Sequence, residues 1–116
     1  MNYTLYGIRN CDTVKKARTW LDQHGVAYTF HDYKTAGIDR VQLQQWCNEH
    51  GWEMLLNRAG TTFRQLDAAL KADLDQEKAI ALMLAQPAMI KRPVLSLGKQ
   101  TLVGFKPETY AANCHS

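Results

Sequence analysis

The chain has 116 residues, with 14 Lys+Arg against 11 Asp+Glu for a formal charge of +3, and it is 46% hydrophobic and 22% charged. These are the proportions of an ordinary globular domain, so one domain over residues 1–116 is expected, large enough to bury a core without metals or disulfides. The mild charge argues against nucleic-acid binding, no run of about eighteen apolar residues offers a membrane span, and MNYTLYGIRNCD is no signal peptide; a cytoplasmic monomer is the expectation.

Residues 2–6, NYTLY, alternate and favour a first strand. A loop over Gly7–Asn10 leads into a helix from Asp12, with Val14, Ala17 and Leu21 at helical spacing and Gly25 at its C-terminal end. VAYTFHDY, residues 26–33, alternates again, so a β-α-β unit with a parallel strand pair is predicted. Asp39 and Gln42 resemble a capping box. The helix they open carries the stripe Val41, Leu43, Trp46 and Cys47 and stops at Gly51. A short helical piece, Trp52 to Leu56, precedes the loop NRAGTT, in which Gly60 permits an unusual backbone and Thr61 or Thr62 is placed to cap the next helix. Two helices are predicted over Thr62–Leu70 and Asp75–Ala85, the second with Ala79, Leu82 and Met83 on one face, and Pro87 ends it. Pro93 opens the strand VLSL, Gly98-Lys99 turns, and QTLVGF returns as a hairpin, with Gly104 read as a close backbone approach. Pro107 suits the first turn of a final helix. Trp20, Trp46 and Trp52 read as core.

Cys11, Cys47 and Cys114 are odd in number and widely spaced, which is no disulfide framework. Neither they nor His24, His31, His50 and His115 show metal-ligand spacing. Cys11 is the most informative residue, read as a reactive thiol against the alternative of a small inert residue packed at a strand–helix junction. It follows a strand and a loop and stands at a helix start, where free N–H groups and the positive dipole end favour thiolate. Arg9, Lys15 and Lys16 add positive charge and Asp12 opposes it. CDTV lacks the second cysteine of C-x-x-C. Cys47 lies on an apolar stripe and reads as core, and Cys114, near the end, as a spectator. An outside thiol such as glutathione is then the expected resolver of a mixed disulfide on Cys11. Taken alone, Lys91-Arg92-Pro93 reads as a solvated basic pair before a strand, while Arg58 and Arg64 either line an anion pocket or face water.

Four stretches acquire meaning together: YGIRNCDTVKKA at 6–17, LLNRAGTTFR at 55–64, IKRP at 90–93 and LVGFKPE at 102–108. With them the chain resembles, over nearly all its length, the arsenate reductase ArsC/Spx family of thioredoxin-fold proteins, and within it the small YffB-type proteins. The resemblance implies an α/β thioredoxin-like fold, β-α-β then β-β-α, with a helical insertion at about 38–86. It implies that Cys11 is the nucleophile, that Arg92 binds an oxyanion, and that the Arg92–Pro93 bond is cis. Arg58, Arg64, Arg9 and Lys106 are further anion-binding candidates, and Asn10, Thr13 and Pro93 shape the site. Where the family's arsenate reductases carry HNPACGTSR, Gly7 here stands at the activating histidine. Spx-type regulators often carry C-x-x-C, and here Val14 replaces the second cysteine. The function implied is a glutathione-dependent thiol–disulfide oxidoreductase with no tightly bound cofactor. The alternatives are a glutaredoxin-linked arsenate reductase and an Spx-like regulator docking on RNA polymerase.

Overall fold

Strand formers and helix signals alternate at the start of the chain, and the backbone follows them. A computed structural model describes residues 3–114; the expected first strand begins at Asn2, which lies outside them. The chain divides into two compact units, Met1–Ala36 with Arg92–Ser116, and Gly37–Lys91.

The first unit holds a four-stranded sheet of β1 (Thr4–Gly7), β2 (Thr29–Asp32), β3 (Val94–Ser96) and β4 (Thr101–Val103) in the order β2-β1-β3-β4. β1 runs parallel to β2 and antiparallel to β3, and β3 and β4 form the predicted hairpin. Helix α1 (Asp12–Gln23) connects β1 to β2. Its residues Val14, Ala17 and Leu21 are fully buried and share a core with Tyr3, Leu5, Leu95 and Tyr110. α1 ends in a Schellman motif: the Val26 N–H donates to the Leu21 carbonyl at 2.9 Å, the Gly25 N–H to that of Asp22 at 3.3 Å, and Gly25 has φ +66. Leu21 and Val26 are both buried, as the hydrophobic partners of this motif should be.

The second strand is shorter than residues 26–33. Val26 enters the core before the strand begins, and the Asp32 carboxylate accepts the Lys34 N–H at 2.8 Å. An aspartate bonding two residues ahead imposes a turn, so Tyr33 opens the one-turn helix α2 (Tyr33–Ala36).

The second unit is helical: α3 (Arg40–His50), α4 (Trp52–Leu55), α5 (Thr61–Arg64), α6 (Ala68–Lys71) and α7 (Gln76–Ala85), then a 3-10 turn at Pro87–Met89. The Asp39 side chain caps α3 through the Gln42 N–H at 2.7 Å, and Asp75 caps α7 through that of Lys78 at 2.8 Å. Leu43, Trp46 and Cys47 are buried as expected, whereas Val41 is 67% exposed and lies off the stripe. On α7 Ile80 is buried with Ala79 and Met83, and Leu82 only half so.

The helix expected over Thr62–Leu70 is two helices. Gln65 and Leu66 close α5 onto Thr61 and Phe63, and Asp67 takes extended backbone (ψ 145) before α6. Asp competes with helical backbone bonding and favours such a restart. Gly60 has ordinary extended backbone and is itself the N-cap of α5, with no threonine side-chain cap. The sequence gives no sign of one small ladder: Leu56 bridges Ile90, the Asn57 N–H donates to Met89 at 2.8 Å, and the Lys91 N–H to Leu55 at 2.8 Å.

Candidate active site

The sheet register assembles the site within the first unit. Gly7 lies opposite Asp32, Tyr6 opposite Val94, and Val94 opposite Val103. One end of the sheet therefore carries the Ile8–Cys11 loop, Tyr33, the Arg92–Pro93 pair and Gly104 to Lys106. Pro93 is buried, its peptide bond with Arg92 is cis, and its carbonyl accepts the Gly104 N–H at 2.8 Å. The backbones do approach here, but a side chain at Gly104 would meet nothing within 4 Å. Glycine is needed for its φ of +81, not for space.

Steric demand falls instead on Gly7. A Cβ there would lie 2.8 Å from Val14 Cγ2, so the first turn of α1 rests directly on the end of β1. This position, where the family resemblance places a histidine, has no room for a side chain unless Val14 moves.

That packing presents Cys11. It is the extended N-cap of α1 (φ −133, ψ 122), and its carbonyl accepts the first helical bond, from the Lys15 N–H at 2.9 Å. The thiol is half-buried. Burial pushes it up; the Val14 N–H, the Arg92 guanidinium through a hydrogen bond and through its charge, and the Thr13 N–H outweigh burial, holding the thiol below its ordinary range. Arg92 is thus no freely solvated cation, as the basic pair alone suggests. Cys47 and Cys114 are both buried, and burial alone pushes both up.

The other sequence candidates are distributed differently. Arg9 is 75% exposed and reaches Asp32 at 3.7 Å. Asn10 is exposed in the turn before Cys11, and Lys106 is the exposed N-cap of α8 (Pro107–Asn113). In the second unit the Arg58 guanidinium lies 5.5 Å from the Trp52 ring centre, and exposed Arg64 accepts a bond from Lys71 Nζ through its carbonyl at 3.1 Å. Trp20 and Trp52 are half-buried, and only Trp46 is fully enclosed. Among the described residues no cluster of three or more His, Cys, Asp or Glu is placed to hold a metal ion.

Sequence reasoning missed the aromatic group beside the site. Tyr6 and His31, opposed in register, have ring centres 4.8 Å apart, and Tyr33 stacks on Tyr6 at 6.3 Å. Tyr33 is 1% exposed, and burial pushes its phenol far up, with Tyr6 adding to the rise and Arg92 opposing it. The Asp32–Tyr33 turn is the available signal, but alternation through HDY hides it inside a strand pattern.

A parallel β1–β2 pair joined by α1, an antiparallel β3–β4 hairpin on the same sheet, and a cysteine at the start of α1 with backbone donors and a guanidinium at its sulfur define a class: thioredoxin-like proteins. The family model for the ArsC family matches residues 6–113, and the chain belongs to that family. The solved structure of a YffB protein is 72% identical, with a TM-score of 0.96, over 97% of this chain and 99% of that one. An arsenate reductase-related protein from Brucella melitensis is 54% identical, with a TM-score of 0.78, over 97% and 94%. The global transcriptional regulator Spx of Streptococcus mutans is 27% identical over 94% of this chain and 80% of its own.

Proposed function

We propose that this protein is a glutathione-dependent thiol–disulfide reductase with Cys11 as its single nucleophile. The observation that carries the reading is the convergence of the Val14 and Thr13 N–H groups and the Arg92 guanidinium on one half-buried sulfur. In the first step the Cys11 thiolate attacks the glutathione sulfur of a mixed disulfide. The old S–S bond breaks, the substrate leaves as thiolate and takes up a proton from solvent, and Cys11 carries glutathione as a new disulfide. A second glutathione, as thiolate, attacks that glutathione sulfur. It releases glutathione disulfide and restores the Cys11 thiolate, so the net reaction converts the mixed disulfide and one glutathione thiol into the substrate thiol and glutathione disulfide. Arg92, with Arg9 and Lys106 on the same unit, would attract glutathione's carboxylates, and Asn10, Thr13 and Pro93 hold the loop and backbone around the sulfur. The reading places the protein in the cytoplasm, where glutathione keeps thiols reduced. Among the described residues no helix is long and apolar enough to cross a membrane.

The test is glutathione-driven reduction of a small glutathione mixed disulfide. Cys11→Ser is expected to abolish turnover, while Cys47→Ser and Cys114→Ser retain it. Loss of turnover in the Cys114 variant would show an internal resolving thiol instead. Two other readings have their own supports. The guanidinium beside the sulfur also suits an oxyanion, which arsenate-dependent glutathione oxidation, with or without glutaredoxin, would reveal. The Spx likeness supports docking on a transcription complex, RNA polymerase included, and partners retained by Cys11→Ser in a pull-down would favour it.

A further inference from the structure

A groove of about 370 Å³ runs along the outer face of α1, between Lys15, Lys16, Thr19 and Trp20 on one side and Phe105 and Pro107 on the other. Its lining is mainly carbon, and its floor has a structural cause. Trp20 and Phe105 both pack edge-to-face against the fully buried Tyr110, at 5.6 and 4.8 Å between ring centres. Each keeps part of its ring at the surface, since both are only half-buried. The groove's charged lining residues are Lys15 and Lys16, both exposed, and no lining residue is acidic.

Its place relative to Cys11 is set by helix geometry. Lys15 is one turn from Cys11 and Thr19 two turns. At about 1.5 Å per residue the centre of the groove lies about 12 Å along α1 from the cysteine. An extended peptide covers that distance in about four residues at about 3.3 Å each.

We propose, building on the Cys11 reading above, that this groove receives the polypeptide segment flanking the target cysteine of a glutathionylated protein. The segment would place an apolar side chain, about four residues from that cysteine, between Trp20 and Phe105, and carboxylates beside Lys15 and Lys16. The reductase then discriminates among protein substrates by acidic–apolar sequence around the modified cysteine, not by the disulfide alone.

The direct test uses the full chain and a ten-residue peptide with Leu four residues from a Ser standing for the target cysteine and two Glu near it. Nuclear magnetic resonance follows the indole N–H signal of Trp20. The signal is expected to shift with peptide in the wild type and to stay still with the Leu→Ser or Glu→Lys peptides. Thr19→Arg, at an exposed helical position, should also abolish the shift by filling the groove. No shift with millimolar peptide, or a shift indifferent to the Leu and Glu changes, overturns the proposal. An equal shift with glutathione alone overturns it too, because the groove then belongs to the co-substrate. In turnover, the glutathionylated cysteine form of the Leu/Glu peptide should exceed its Leu→Ser counterpart about tenfold in kcat/KM, because an open groove desolvates only part of a leucine. Thr19→Arg should lower the ratio of peptide to small-disulfide kcat/KM about tenfold. An unchanged ratio contradicts the groove, whereas a wild type that shifts at Trp20 with peptide but turns over neither the peptide nor the small mixed disulfide contradicts the Cys11 chemistry and leaves the groove standing.

Discussion

At the scale of the residue, the chemistry turns on what surrounds one sulfur. Cys11 was legible as the candidate nucleophile because a strand, a loop and a helix start precede a cysteine whose local sequence offers no second thiol, and the structure places it at the N-cap of α1. Arg92 was not legible from local pattern, since the sequence places it 81 positions later and only the β1–β3 register returns it to the same end of the sheet. Family resemblance supplied what spacing could not. Replacing Arg92 by Ala removes both a hydrogen bond and a charge from the thiolate. The Cys11 thiol should therefore rise, and kcat/KM with a glutathione mixed disulfide should fall about 10- to 100-fold, as expected for a hydrogen bond to a charged group. Arg92→Lys keeps the charge without the planar fork and should recover only part of the loss.

At the scale of the element, the strongest local signals matched the backbone and the weaker ones did not. Val14, Ala17, Leu21 and Gly25 fixed α1, and Asp39 with Gln42 fixed the start of α3. Strand and helix ends were less legible, because Asp32 and Asp67 act through side-chain bonding or backbone restart that alternation and periodicity do not register. Asp39→Ala should cost about 1 kcal/mol through loss of the cap, read by denaturant unfolding. Gly7→Ala forces a Cβ to 2.8 Å from Val14. It is expected to destabilise by about 1–3 kcal/mol as an overpacked contact. Val14→Ala removes the opposing methyls at the cost of a core cavity, so in a double-mutant cycle Gly7→Ala should cost less in the Val14→Ala background than in the wild type. Equal stability of wild type and Gly7→Ala would show that α1 shifts freely on β1.

At the scale of the whole molecule, the three cysteines leave opposite marks on stability against pH. The Cys11 thiol is lowered in the native state, so the native state binds fewer protons than the unfolded chain between the two values. Stability from Cys11 is present above the unfolded value of about 8.5 and is lost as pH falls through the native value. Cys47 and Cys114 are raised, so their contribution is full below that unfolded value and declines as pH rises above it. Unfolding free energy measured from pH 5 to 10 should thus lose, in Cys11→Ser, the rise that is complete near the unfolded value of about 8.5. It should lose part of its alkaline decline in Cys47→Ser and Cys114→Ser. The α/β order and its helical middle were readable from the chain. The ladder of Leu55–Asn57 against Met89–Lys91 was not readable, because no turn or alternation announces it.

The claim that the surroundings of Cys11 favour its thiolate is tested most directly by alkylation of all three cysteines as a function of pH, resolved by mass spectrometry. Cys11 is expected to react with an apparent value below the free-cysteine range of about 8.5, with Cys47 and Cys114 above it. A Cys11 that titrates at or above its two buried counterparts would contradict the activation by Val14, Thr13 and Arg92, and with it the reductase mechanism.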